Sequence, residues 1–364
     1  MEKFCVFCGK APEGKNKEHV LPDWLIRLTG DPNRIATFGI EFNKQPIGLR
    51  QFAFDALTFP ACAHCNDRFS KLEAQIKPII ERLLASQPLG AGDLILLLDW
   101  LDKVRVGLWL GYMYLNKNPL GIDPTFHIES RIGQADRMVA ISKIEDIGVG
   151  LTFSGPEFLT YQLSPTTFAL RVNDFCLTNT SRISLCSPRL GFPYMQPVRI
   201  GEDHKLVVSP TAGSERIMNR VERSTPLQKV VALYQPIFRS FLEYEGGERF
   251  LANDWVKQNS TDVGAGYGKL FLQKRESVEV YPDAPSSDWV PSDSWKKSEL
   301  LLNLPQYVFD RIHEDAQNAI GLTSTAKDRK ALRSQVAGTG MVDKAMLRKS
   351  NEAIIPPKSR RSKV

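Results

Sequence analysis

The chain lacks any uncharged apolar run near the ~20 residues that cross a bilayer. Its most apolar segment, Leu94 to Leu115, is interrupted by Asp99, Asp102, Lys103 and Arg105, and no membrane partner is expected. An apolar leader is missing too: Met1 to Lys10 holds two cysteines and several charges where a secretory core would begin, which points to a cytoplasmic setting. No internal repeat is visible at periods of about 20 to 50 residues. The stretch Gly264-Ala265-Gly266-Tyr267-Gly268-Lys269 lacks the Gly-x4-Gly-Lys-Ser/Thr spacing of a phosphate loop and runs into a strand-like segment, so a turn is expected there. Histidine is sparse, and His127, His204 and His313 stand alone as structural or surface groups. A net charge of +6 permits a polyanionic partner without requiring one.

What is present is an ordinary globular composition, 42% hydrophobic and 24% charged, in a length that suits two domains and a tail. The expected class is α+β. Residues 1–88 read as a small separate module, residues 89–320 as a larger mixed domain, and residues 321–364 as a basic, partly disordered tail. In the first, Phe4 to Lys10 reads as a strand entering a knuckle, and Arg34 to Phe42 with Leu49 to Leu57 as a hairpin. Asn66 to Ala85 reads as a helix with Phe69, Leu72, Ile76, Ile79, Ile80 and Leu83 on one face and Asn66, Ser70, Glu73 and Lys77 on the other. Pro78 is expected to kink or divide it.

Asp93 to Asn116 is a second long helix, apolar on nearly all sides. β-rich segments follow at Arg137 to Ile141, Gly148 to Phe153, Thr167 to Val172 and Phe175 to Leu177, the last two joined by Asn173-Asp174. Arg216 to Tyr244 and Ser298 to Ile320 return to helix. The tail carries eleven Lys/Arg against three Asp/Glu, so it holds +8 while the remainder sums to −2. Ala326 to Val336 and Val342 to Lys349 are expected to form helices on a partner, and the end from Pro356 to Arg361 reads as disordered.

Six cysteines in a chain without a leader point to metal before disulfide. Cys5-Val6-Phe7-Cys8 and Cys62-Ala63-His64-Cys65 are two x2-spaced pairs. Each such turn aims two sulfurs at one ion, and two turns complete a tetrahedral Zn²⁺ shell. The intervening loop is long, but its closure cost grows only logarithmically. His64 lies inside the second pair, yet the four thiols already fill the shell. Cys176 and Cys186 have no metal spacing and read as core residues.

Between the knuckles stands Glu18-His19-Val20-Leu21-Pro22, and Asn66 follows the last cysteine at a helix start. In this respect residues 4–84 resemble the HNH (ββα-metal, or His-Me finger) endonucleases with a four-cysteine zinc treble-clef frame. The resemblance implies that His19 is the general base that deprotonates a water, and that Glu18 and Asn66 ligate a catalytic divalent ion, Mg²⁺ or Mn²⁺. Glu73, seven residues after Asn66 on the same helix face, reads as an additional ligand, a group that orients one, or a solvated helix glutamate. Arg68 and Lys71 would face a phosphate backbone. The implied activity is hydrolysis of phosphodiester bonds, with DNA preferred over RNA, in a bacterial or mobile-element setting that includes antiviral defence. Residues 89–320 would then supply target recognition, self-association or control by a protein partner.

Two departures from the family pattern stand out. Its first acidic position is more often Asp, and the asparagine that orients the histidine has no clear counterpart; Asn43 is distant and Asp55 is a candidate. Two other readings fit the same residues: a non-catalytic zinc module that binds nucleic acid, and a structural zinc domain in an interaction protein.

Overall fold

The computed structural model describes the chain except for residues 1–2, 13–15, 42–47, 146, 183–184, 186, 201–205, 212–228, 242–253, 275–276, 297–302, 321–325 and 355–364. The architecture is mixed α+β. Its centre is helix α3 (Ala91–Leu115), in which every residue from Trp100 to Met113 is buried. No helix among the described residues is long and apolar enough to cross a membrane. The charges that interrupt α3 have a structural use, because each meets a partner on a different part of the fold. Asp99 and Asp102 take Arg137, Arg105 takes Asp102 and Asn179, and Lys103 takes Glu18 and Glu73.

On one side of α3 lies an eight-stranded sheet. Its strands are β5 (Arg137–Ile144), β6 (Leu151–Ser154), β7 (Thr167–Val172), β8 (Phe175–Ser181), β11 (Val231–Gln235), β14 (Phe271–Gln273), β15 (Val278–Val280) and β16 (Ser294–Trp295). The order is β15-β14-β11-β5-β8-β7-β6, antiparallel throughout, with β16 parallel to the end of β5. Strands β9 (Tyr194–Ile200) and β10 (Leu206–Thr211) form a separate antiparallel pair. Asn173, at φ 55°, makes the tight β7–β8 turn. The sheet is buried on both faces. Val139, Ile141, Leu177 and Leu233 join the core around α3, while Met138, Ala140, Cys176, Ala232 and Tyr234 face a second core with Leu304 and Val308.

On the other side of α3 sits the N-terminal region. Strand β1 (Lys17–His19) pairs with β4 (Thr58–Pro60), so that Glu18 opposes Phe59. Between them come α1 (Asp23–Leu28) and the hairpin of β2 (Ile35–Glu41) and β3 (Gly48–Ala53). Helix α2 (Ala63–Leu84) follows β4, with Phe69, Ile76, Ile79, Ile80 and Leu83 buried. It continues through Pro78 as one helix, undivided. A helix-interior proline forfeits one hydrogen bond, and the buried isoleucines on both sides of it hold the turn in register. The expected strand at Phe4 to Lys10 is instead a loop closed on itself, with Cys5 N–H donating to Lys10 O. The short helix α4 (Ile128–Arg131) backs this loop, with Ile128 and Glu129 N–H donating to Val6 O and Phe7 O at 3.2 and 2.9 Å.

The ladder seats on α3 at two glycines one turn apart. A Cβ on Gly107 would come within 2.7 Å of Val20, and one on Gly111 would enter the Phe59 ring. Phe38 and Phe54 in turn pack edge-on to Phe153 of β6, so one hydrophobic core is continuous from Cys5 to Phe309.

Two helical expectations are corrected. Residues 212–228 lie outside the described part, and Val231–Gln235, expected in a helix, is strand β11 between β5 and β14. Val231-Ala232-Leu233-Tyr234 lies in a sheet buried on both faces, so it shows none of the alternation that separates strand from helix. In the tail, helix α6 (Asn303–Ile320) is followed by one helix, α7 (Ala326–Ile354), that continues through Gly338 and Gly340. Instead of waiting for a partner, α7 packs on its own chain. Buried Asp343 accepts the N–H groups of Leu159 and Thr160 at 2.6 and 3.3 Å, capping the short helix α5 (Leu159–Leu163). The end from 355 lies outside the described residues, as do Asn43, Cys186 and His204.

Candidate metal and active site

The first knuckle is a tight loop in which Gly9 N–H donates to Cys5 O at 2.8 Å. Gly9 has φ +76°, and a Cβ there would collide with the His127 ring; both constraints require glycine. The second knuckle lies between β4 and α2, with Cys62 at the N-cap and Cys65 in the first turn. The sulfurs of Cys5, Cys8, Cys62 and Cys65 lie within 4.8 Å of one another, and those of Cys8 and Cys62 are 3.9 Å apart. Zn–S bonds of ~2.3 Å put the corners of a tetrahedral shell about 3.8 Å apart, so these four thiols could hold a metal ion such as zinc. Among the described residues, this is the one His/Cys/Asp/Glu cluster so placed.

The surroundings suit thiolates. Cys62 N–H donates to Cys5 Sγ at 3.2 Å. Burial alone pushes the Cys5 thiol up, but the N–H groups of Cys62, Cys8 and Phe7 outweigh it and bring the pKa below its ordinary value. Cys65 is pushed up, first by burial and then by the neighbouring sulfurs. A divalent cation among the sulfurs reverses that balance by displacing their protons. His64 is exposed and outside the cluster.

Strand alternation sends Glu18 and His19 to opposite sides of β1. Glu18, 8% exposed, points inward. Its Oε1 lies 2.9 Å from Lys103 Nζ, and Glu73 Oε1 makes a second, shorter contact with the same ammonium. Lys103 Nζ also donates to His19 O and Val20 O, each at 3.3 Å. Burial lowers the ammonium's pKa, but Glu73 and then Glu18 more than compensate and hold it above its ordinary value. Burial pushes the Glu73 carboxyl above its ordinary value, and Lys103 offsets this only in part. Lys103, not anticipated from the sequence, is the cation found between Glu18 and Glu73; its one sequence signal is its place among the few charges that interrupt a largely apolar helix.

His19 points outward and is half-buried. Its Nε2 lies 3.2 Å from the carbonyl oxygen of Asp55. A carbonyl only accepts, so Nε2 carries the proton and Nδ1 keeps the lone pair. Asp55 therefore orients the ring with its main chain, not its carboxylate. Asn66 is half-buried in the first turn of α2, where its backbone N–H donates to Cys62 O at 2.9 Å. Arg68 and Lys71 are exposed but paired, with Glu129 and Asp67. His127 packs edge-on to Phe4, and His313 bonds Thr160 Oγ1 at 2.9 Å. Gly264 to Gly266 make the turn between the short strands β12 (Ser260–Asp262) and β13 (Tyr267–Gly268).

Comparison with protein-family models, curated proteins and solved structures finds no match to this chain.

Proposed function

We propose that the protein is an HNH-type endonuclease that hydrolyses phosphodiester bonds in nucleic acid, DNA in preference to RNA, on a zinc treble-clef frame. The observation that carries this reading is His19 itself. It is a half-exposed imidazole whose Nε2–H is held by Asp55 O, leaving a basic nitrogen, one residue from a buried carboxylate and on the ladder that leads into a four-cysteine cluster. Cys5, Cys8, Cys62 and Cys65 would hold Zn²⁺ in a closed shell, a structural role, because four thiolates leave no open position for a substrate. His19 Nδ1 would take the proton from an attacking water.

The donor set does not fit a Mg²⁺ or Mn²⁺ ion bridging Glu18 and Asn66 in the arrangement seen. Glu18 faces away from His19 and already shares the one buried ammonium of Lys103 with Glu73. This favours a second reading, a zinc module that binds nucleic acid without cutting it.

Supercoiled plasmid incubated with the full chain and Mg²⁺ or Mn²⁺ separates the two. Nicking that disappears in His19→Ala, with duplex binding retained, supports the nuclease. Binding without nicking by the wild type supports the second reading, and equal nicking by wild type and His19→Ala removes the role given to His19.

A further inference from the structure

Helix α7 buries one side and exposes the other. Asp343, Met346 and Ser350 are buried against the body of the protein. At ~100° per residue, Lys330, Arg333, Lys344 and Arg348 fall within about 60° of one another on the far side, with Ala337 and Met341 between them and Lys327 a further ~60° away. All five basic residues are exposed. None makes an ion pair among the described residues, although Arg348 Nε approaches Lys344 O at 3.4 Å.

A solvated helix face ordinarily interleaves charges of both signs, since opposite pairs at three- and four-residue steps stabilise it and like pairs do not. Here the exposed stripe has one sign over about 27 Å, from Lys330 to Arg348 at ~1.5 Å per residue. From this we infer that α7 is a docking surface for the phosphate backbone of duplex nucleic acid.

Charge and shape decide the occupant. The stripe carries one sign of charge along one side of the helix, its like-charged neighbours at three- and four-residue steps repel one another, and it approaches the ~34 Å length of one duplex turn. An anionic membrane fits less well. A helix that lies in a membrane interface needs a broad apolar face beside its basic one, and α7, packed on α5 and α6 along its buried side, exposes only Leu332 and Met341 as large apolar residues. Because these side chains would meet phosphates, the surface positions the protein on nucleic acid and reads no sequence.

The inference shares its nucleic-acid partner with the proposed function but not the chemistry of His19. The test is binding of the full chain to a fluorescent 30-base-pair duplex (roughly three turns) across a salt series, for the wild type and for K330Q/R333Q/K344Q/R348Q. For B-DNA the slope of log affinity against log salt is about −0.9 per phosphate neutralised. The wild type should show a steep negative slope, and the variant a slope shallower by up to about 3.6, with an unchanged circular dichroism spectrum and melting curve. Superimposable slopes would overturn the inference, as would absence of duplex binding by the wild type. Binding to phosphatidylserine vesicles but not to duplex would overturn it in favour of a membrane. His19→Ala keeps the wild-type slope under this account, so a chain that binds through α7 and does not cut refutes the nuclease alone. A chain that cuts through His19 with an unaltered slope in the quadruple variant refutes the stripe alone.

Discussion

Lys103 Nζ lies 2.9 Å from Glu18 Oε1, across 85 residues of sequence, with the lysine wholly buried and the glutamate nearly so. This contact ties the strand that carries His19 to the helix that supports the central sheet. Buried ion pairs contribute little net stability when whole, but their rupture strands a charge at a cost of ~3–5 kcal/mol. Lys103→Met should therefore destabilise the protein by about that amount in denaturant unfolding, and it leaves two carboxylates facing each other. Adding Glu18→Gln and Glu73→Gln should recover most of the loss, and full stability in the single variant would contradict the pairing.

The same contact has a pH signature. The folded-state pKa of Lys103 is raised above 10.5, so the native state holds that proton more firmly than the unfolded chain. Its contribution is complete below pH ~10.5 and is lost as pH rises through the higher folded value. The alkaline limb of the stability curve should therefore be less steep in Lys103→Met than in the wild type.

Much of this arrangement is legible from sequence and some is not. The α2 stripe, the two Cys-x-x-Cys knuckles and the β7–β8 hairpin depend on local spacing, so periodicity and turn chemistry expose them. The Lys103 contact depends on residues 85 and 30 positions apart, and nothing local marks it. Periodicity places Glu73 on a polar helix face, yet it turns inward because α3 delivers a cation there. Burial on both faces hides strand β11. Gly338 and Gly340 weaken a helix, so α7 reads as two pieces in sequence; the tertiary anchor at Asp343 holds it together.

The glycine pair in α3 predicts an overpacking defect. Gly111→Ala places a methyl group in the Phe59 ring, and the ladder must shift to admit it. A loss of ~1–3 kcal/mol is expected, whereas Gly92→Ala, where a Cβ meets nothing within 4 Å, should be neutral or slightly stabilising. Thermal unfolding of both variants checks the contrast.

Metal should be inseparable from the N-terminal fold. Elemental analysis of purified protein should find one zinc per chain, and Cys65→Ser should lose it. Chelation should release hydrogen-exchange protection in β1, β4 and the start of α2 before the central sheet, because binding of such an ion is folding energy for the segment it staples. A chain that retains full protection without metal would contradict the staple.

The role of His19 admits the most direct measurement. His19→Gly removes the imidazole and leaves a space beside Asp55 O, which free imidazole can fill. The rate of plasmid nicking by this variant should fall by about 10²–10⁴-fold, the usual contribution of a general base, and should rise again with added imidazole. Wild-type nicking by His19→Gly without imidazole would contradict the account.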